Sequence, residues 1–292
     1  MRHLRASMTA ALTVFCVAAL ALAGLASAGE TSKLTVKLTD PDKPCFVECG
    51  LLNGGITVEG YGGKEVIIEA RQREDSAEGE CSDWDHDHDD EGEKKSKEGL
   101  KRIAVSSSAF EVEEDDNRIE VSVDSWSNST DVFIKVPRRT SLNVQCINDG
   151  DIEVSNVTGE IEAKNINGNI TLAGISGSVV AYVQNGDMTA ELKSVTKNKP
   201  MSFASFNGDV DVTLPAGVKA TVKVSTHTGD AYSDFDIKVL DRPAEVIEDN
   251  DEHTDGKYRV RIEDAFYGNI NGGGPEFDLS TFNGDIYIRK AK

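Results

Sequence analysis

The 292-residue chain carries 51 Asp plus Glu against 31 Lys plus Arg, a net charge of −20, with 38% hydrophobic and 6% aromatic residues. Such a surplus of carboxylates excludes nucleic acid as a partner, because phosphate backbones attract Lys and Arg and repel acids. The composition also excludes a polytopic membrane protein, and the length excludes a small disulfide scaffold.

Residues 1–28 read as a signal peptide. Arg2 and Arg5 give a basic start, Met8–Leu25 an apolar run, and Ala26-Ser27-Ala28 the small-x-small pattern of a cleavage site. An N-terminal membrane anchor is the rival, disfavoured because Gly and Ala dilute the end of the run. Cys16 lies in that run without the context of a lipoprotein site. The expected mature chain is exported, periplasmic or extracellular, and not membrane-embedded after signal cleavage. Loss of Arg2 and Arg5 takes the net charge from −20 to −22.

Residues 29–292 are expected to form a single β domain. Four cysteines fall in it: Cys45, Cys49, Cys81 and Cys146. An even count in an exported chain favours disulfides, with three connectivities open. Cys45 and Cys49 on one extended strand would stand about 13 Å apart and could pair only if residues 46–48 turn. A metal site is the weaker alternative, since no C-x-x-C pair is present.

Taken in chain order, the elements alternate apolar and polar residues. Lys33-Leu34-Thr35-Val36-Lys37-Leu38 and Gly55-Ile56-Thr57-Val58-Glu59 come first, followed by Arg118-Ile119-Glu120-Val121-Ser122-Val123 and Asp131-Val132-Phe133-Ile134-Lys135-Val136. Period two with β-branched residues describes strands that bury one face. Between the second and third strands, residues 74–98 hold 12 acidic and 3 basic residues and are expected to be a solvated, disordered loop. Within it Asp87, Asp89, Glu91, Gly92 and Glu98 fall at positions 1, 3, 5, 6 and 12 of a calcium-loop template. His86 and His88 would instead favour a transition metal. Against a tight site, Lys94 occupies the place of the apolar anchor. Glu91–Ile103 is the only stretch with helical promise, and Gly92 and Gly99 weaken it.

An internal repeat follows over residues 150–194. Gly150, Gly159, Gly168, Gly177 and Gly186 are spaced nine apart, with apolar residues always at positions three and five of each unit. The residue before each Gly alternates in kind, so the full unit is eighteen residues with two corners. Fixed-period similarity of this sort marks a stacked architecture. An antiparallel meander is the competitor, since Asn-Gly is also a hairpin signal. Against it, Val157, Ile166 and Ile175 at position eight, each after Asn or Gly, suggest a bend inside each nonamer. Looser copies recur at Asn53-Gly54, Asn207-Gly208-Asp209-Val210, Thr228-Gly229-Asp230 and Asn283-Gly284-Asp285-Ile286. The expectation is an all-β fold, a β-solenoid or β-helix-like stack of coils of about 18–22 residues with N-G-D-I corners. Some ten coils at about 4.8 Å each would give a rod near 50 Å long.

Asn167, Asn185, Asn207 and Asn283 are then structural corner residues, with Asp151, Asn169, Asp187, Asp209, Asp230 and Asp285 next to the glycines bonding the turn backbone. His227 takes the place that Phe206 and Phe282 hold in neighbouring motifs and is expected in the same surface stack. Residues 245–255, with six carboxylates and His253, read as a second exposed acidic loop.

The run Val132-Phe133-Ile134-Lys135-Val136-Pro137, then Leu142-Asn143-Val144 and the Gly-Asp-Ile repeats, resembles the bacterial adhesin-type β-strand-repeat family (domain of unknown function 4097). Phe206–Pro215 and Gly272-Gly273-Gly274 through Ile288 fit it as well. The resemblance covers about residues 50–70 and 100–292 and implies an exported, non-catalytic protein of the bacterial envelope. It carries no ligand or catalytic residues over. The expected function is thus a structural or adhesive binding module, its partner an envelope protein or a surface glycan. A lyase or glycosidase on a β-helix scaffold is the enzyme alternative, and a weak divalent-cation-binding protein is another. No catalytic residue and no cofactor is assigned, apart from a weakly held Ca²⁺ or transition metal at residues 86–98.

Overall fold

The computed structural model describes residues 31–73, 110–123, 129–241, 245–249, 259–263 and 265–292, all as strands, turns and connecting segments. The signal segment, Cys81 and the whole of residues 74–98, with Asp87, Asp89, Glu91, Glu98, His86 and His88, lie outside the described residues.

The strands in chain order begin with β1 (Thr31–Lys37), β2 (Cys45–Asn53), β3 (Ile56–Tyr61) and β4 (Glu65–Gln72). Next come β5 (Phe110–Asp115), β6 (Arg118–Val123), β7 (Thr130–Pro137), β8 (Thr140–Asn148) and β9 (Ile152–Ser155). The repeat supplies β10 (Thr158–Asn167), the long β11 (Ile170–Asn185) and β12 (Met188–Val195). After it follow β13 (Met201–Asn207), β14 (Val210–Leu214), β15 (Ala220–Thr228), β16 (Ala231–Ser233) and β17 (Ile237–Val239). A separate antiparallel pair, β18 (Glu245–Asp249) and β19 (Arg259–Glu263), precedes β20 (Phe266–Ile270), β21 (Glu276–Asn283) and β22 (Ile286–Lys290). Glu245–Asp249 was expected to be loop. Its Val246-Ile247 instead pairs in register with Ile262-Arg261, which makes it a strand.

Two parallel ladders form the stack. The front ladder runs β6, β2, β8, β10, the second half of β11, β13, β21 and β15. The back ladder runs β7, β3, β9, the first half of β11, β12, β14, β22 and β16. Each coil contributes one strand to each ladder; Asn-Gly corners join them at Asn53, Asn167, Asn185, Asn207 and Asn283, Asn148-Asp149-Gly150 joins β8 to β9, and Thr228-Gly229 joins β15 to β16. Within the repeat the partners are eighteen residues apart, as in Ile161↔Val179 and Ile152↔Ile170, so the fold is the all-β solenoid the repeat implies.

Coil order does not follow chain order. The first coil, β2–β3, is inserted between β6–β7 and β8–β9. The last, β21–β22, is inserted between β13–β14 and β15–β16. The stack therefore has eight levels among the described residues, about 34 Å by strand spacing, rather than ten coils in succession. Other strands pair antiparallel at its ends: β5 on β6, β4 on β7 with β1 on β4, and β20 on β15 with β17 on β20. Such antiparallel strands cover edges that would otherwise be open to pairing.

Alternate residues of every coil fill one apolar core. Val47, Ile56, Val58, Ile134, Leu142, Ile152, Ile170, Leu172, Phe203 and Phe277 are all buried in it. Burying an Ile, Leu or Phe is worth roughly 1.5–3 kcal/mol against leaving it exposed, so register is fixed by which face each residue can occupy. Bends occur where Asn156 (φ 56°) and Gly174 (φ 66°) adopt left-handed backbone, and Val157 and Ile175 beside them are buried as expected. Ile166 departs from that expectation. There the strand keeps strict alternation, Asn165 is fully buried and Ile166 faces outward. Asn165 can take the inner place because its Nδ2 donates to the Gly150 and Asn169 carbonyls, at 2.9 and 3.1 Å.

Candidate functional site

The corners are built from three rows of hydrogen bonds running from coil to coil along the stack. In the first, asparagine amides bond one another. Asn167 Nδ2 donates to Asn148 Oδ1 (3.1 Å), Asn185 to Asn167 (2.9 Å), Asn207 to Asn185 (2.8 Å) and Asn283 to Asn207 (2.7 Å). A carboxamide both donates and accepts, so each one satisfies its two neighbours.

The second row runs from the main chain of one coil to the side chain of the next. The amides of Asn169, Asp187, Asp209, Asp285 and Asp230 donate to Asp151, Asn169, Asp187, Asp209 and Asp285 respectively, at 2.7 to 2.9 Å. Each of these four carboxylates and the Asn169 carboxamide thus has its Oδ1 fixed by the turn of the next coil. Among the described residues no group of three or more His, Cys, Asp or Glu is arranged to hold a metal ion.

The third row lies inside the corner and had no sequence signal of its own. The side chains of Cys146, Asn165, Ser205, Thr281 and Thr226 donate to the carbonyls of Gly54, Gly150, Gly186, Gly208 and Gly284, at 2.7 to 3.0 Å. Each donor sits two residues before the corner residue of its own coil and reaches the corner glycine of the coil beneath. Val183 occupies the equivalent place over Gly168 and has nothing to donate. The glycines are needed because coils approach so closely. At Gly208, with φ 143°, a Cβ would lie 2.1 Å from the Gly186 oxygen.

Beside the asparagine row, on the outer front face, runs a column set by the same registers: Leu52, Ile147, Ile166, Gln184, Phe206, Phe282 and His227. Phe206 stacks on Phe282 with centroids 4.9 Å apart, and His227 stacks on the other side of Phe282 at 4.6 Å. Leu52, Ile147, Phe206 and Phe282 are each 37–44% exposed. On the back face Tyr232 stacks on Tyr287 at 5.4 Å, and Tyr287 lies under Arg289, which Asp211 holds at 2.8 Å.

Cys45, Cys49 and Cys146 are free and buried. The disulfides that their number suggests do not form among these three. Cys49 pairs with Val144, and Cys146 with Leu51, so the two nearest thiols are two residues out of register. Strand spacing and rise then put their Cα atoms about 8 Å apart, beyond the roughly 7 Å a disulfide spans. Burial pushes the Cys49 thiol up to about 12, helped by Cys146 beside it, and pushes Cys45 and Cys146 up to about 11. These groups are core, with no thiolate to offer a metal or a substrate.

Near the β1–β2 connection, Glu114 ties the first coil to the β5–β6 hairpin. It accepts from Thr39 N–H and Asn117 N–H, both at 3.0 Å, and from the Thr39 hydroxyl at 3.1 Å. Partial desolvation works to raise its pKa, but the three hydrogen bonds outweigh it and hold the carboxyl below its ordinary value.

Among known proteins, the profile of the Toastrack DUF4097 family matches residues 120–289, more than half of the chain. No curated protein matches. Two solved structures are similar. One is a candidate cell adhesion protein from Clostridium sporogenes, at 11% identity and a TM-score of 0.41, covering 90% of this chain and 100% of that one. The other is a candidate adhesin from Bacteroides fragilis, at 11% identity and a TM-score of 0.35, covering 92% and 100%.

Proposed function

The chain belongs to the Toastrack DUF4097 family, and from that premise we propose that it acts as an exported, non-enzymatic envelope protein whose outer face binds an envelope protein or a surface glycan. The observation that carries the proposal is the outward column from Leu52 to His227. Its seven residues lie on seven adjacent strands, about 29 Å end to end. Six of the seven are apolar or aromatic, with His227 counted among the latter. Apolar surface held in a continuous exposed row marks an interaction site more than scattered surface residues do. The asparagine row beside it fixes the spacing, so the column presents a preformed edge and pays little ordering entropy on contact. Stacked repeats recognise partners through such extended faces. Among the described residues, no helix is long and apolar enough to cross a membrane.

The test uses the mature protein and a Phe206→Ser/Phe282→Ser variant, each immobilised and exposed to envelope extract and to purified surface polysaccharide. Retention of one defined component by the mature protein, lost in the variant while its denaturation midpoint stays close, supports the proposal. Equal retention by both removes the column from the account. Release of new reducing or unsaturated sugar ends during incubation would show an enzyme instead.

A further inference from the structure

The two kinds of corner carry opposite charge. Front-to-back connections are residues 54–55, 149–151, 168–169, 186–187, 208–209, 229–230 and 284–285. They hold Asp149, Asp151, Asp187, Asp209, Asp230 and Asp285, and no Lys or Arg. Back-to-front connections are residues 138–139, 156–157, 196–200 and 215–219. They hold Arg138, Arg139, Lys197, Lys199 and Lys219, and no Asp or Glu. Front strands of seven to ten residues separate the two edges. By strand rise that is about 20–30 Å, more than two Debye lengths at physiological salt. The acids of one edge are thus screened from whatever meets the other, although the chain as a whole carries −20.

Glu160 holds Lys199, but among the described residues no carboxylate pairs with the exposed Arg138, Arg139, Lys197 or Lys219. Two coils between Arg139 and Lys197 have no cation in their own corner. Lys193 fills that gap. It reaches back from β12 past Gly174, where a Cβ would meet its Nζ at 2.7 Å, and donates to Asn156 Oδ1 at 3.1 Å. A neutral amide leaves the ammonium its full charge. The row from Arg138 to Lys219 therefore extends over the five strand spacings from β8 to β15, about 24 Å, with a cation roughly every 6 Å. Thr158, Ser176 and Ser194, register neighbours on successive coils, set hydroxyls beside it. No exposed large apolar side chain among the described residues lies on this edge.

We propose that this ridge binds a linear acidic polysaccharide, its carboxylates on Arg138, Arg139, Lys193, Lys197 and Lys219 and its hydroxyls on Thr158, Ser176 and Ser194. Arg and Lys in a line complement an anionic chain, and a charge on each sugar or every second sugar suits their spacing. Duplex DNA, with a charge about every 1.7 Å, is far denser than the row. The lack of apolar anchors favours a polar chain over a bilayer surface, which takes up such side chains. The ridge lies apart from the outward column and stands without it.

Titration calorimetry of the mature protein with polygalacturonate oligomers, at low and at physiological salt, tests it. Saturable heat is expected that weakens as salt rises, as ion pairing requires. Affinity should fall at least about tenfold in Arg138→Gln/Arg139→Gln/Lys197→Gln/Lys219→Gln. The single changes Lys197→Gln and Lys219→Gln, each in an exposed turn, should weaken it by smaller factors. A charge-matched variant, Lys33→Gln/Lys37→Gln/Lys164→Gln/Lys238→Gln on β1, β10 and β17, should bind as the parent does. So should Phe206→Ser/Phe282→Ser, which separates this ridge from the column. Absence of heat at low salt and millimolar sugar overturns the proposal. An equal loss in the charge-matched variant does so too, since net charge alone would then explain the binding. Retention on vesicles containing anionic phospholipid, without binding of the oligomers, also overturns it and would make the ridge a membrane contact.

Discussion

Asn185 and Asn207 are 22 residues apart in sequence, yet Asn207 Nδ2 donates to Asn185 Oδ1 at 2.8 Å. The same Asn207 accepts from Asn283, 76 residues further on, at 2.7 Å. One amide thus joins three coils, and the last of these comes from the far end of the chain.

Replacing Asn207 should show what that link is worth. Asn207→Ala removes a donor and an acceptor and should cost about 1–2 kcal/mol, read as a lower denaturation midpoint in urea with unchanged slope. Asn207→Asp should cost at least as much at neutral pH, because a carboxylate cannot donate to Asn185. Protonation restores a donor, so part of the loss should return below about pH 4.

Gly208→Ala should be among the most damaging single changes. It places a Cβ 2.1 Å from the Gly186 oxygen, on backbone at φ 143°. Strain and clash together exceed the roughly 1 kcal/mol of an ordinary Gly-to-Ala change of unfavourable sign. The expected result is a drop of several kcal/mol or failure to fold, whereas Gly217→Ala, where a Cβ meets nothing within 4 Å, should be near neutral.

The inner row predicts a pair of opposite effects. Thr281→Val keeps volume but leaves the Gly208 carbonyl without its 2.9 Å donor, for a loss of about 1–3 kcal/mol. Val183→Thr supplies a hydroxyl where the row has a gap, over Gly168, and should cost nothing or stabilise. Thermal unfolding of the two variants side by side gives the signs directly.

Thiol chemistry should follow burial. Cys45, Cys49 and Cys146 should resist alkylation at pH 8 in the native protein and react promptly in denaturant, as counted by mass spectrometry. The pH consequence has a definite sign. Between about pH 9, where the unfolded thiols ionise, and the raised native values of about 11 and 12, only the unfolded chain gains thiolate. Stability should therefore fall as pH rises through that window. Glu114 acts at the other end. Its lowered pKa means a contribution present above the ordinary carboxylate value and lost as pH falls through the lowered one.

How much of this could be read from residues alone differs by element. The nine-residue glycine spacing and the β-branched alternation are local signals, and they specify a stack with Asn-Gly corners. The inner row was invisible because Cys146, Asn165, Ser205, Thr281 and Thr226 share no residue type, only a place two positions before a corner. Asn165 went further and misdirected the pattern, since a buried Asn beside an outward Ile166 looks like the reverse. Coil order was also hidden, because pairing of β21 with both β13 and β15 is a long-range choice made by packing and loop closure. One clue was available. Phe206-Asn207-Gly208-Asp209-Val210 and Phe282-Asn283-Gly284-Asp285-Ile286 are nearly the same motif, and they prove to be direct neighbours.

Continuity of the outward column, and with it the adhesion proposal, depends on the last coil lying beneath the one that precedes it in sequence. Disulfide trapping tests this most directly. Ala204 and Ser280 are register partners on adjacent strands, as are Ser280 and Ser225, whereas Ala204 and Ser225 are separated by a whole strand. In a background with the native cysteines replaced by Ala, Ala204→Cys/Ser280→Cys should close a disulfide under mild oxidation. Ala204→Cys/Ser225→Cys should stay reduced. Ready closure of the second pair with failure of the first would place β13 directly beside β15 and contradict the stack described.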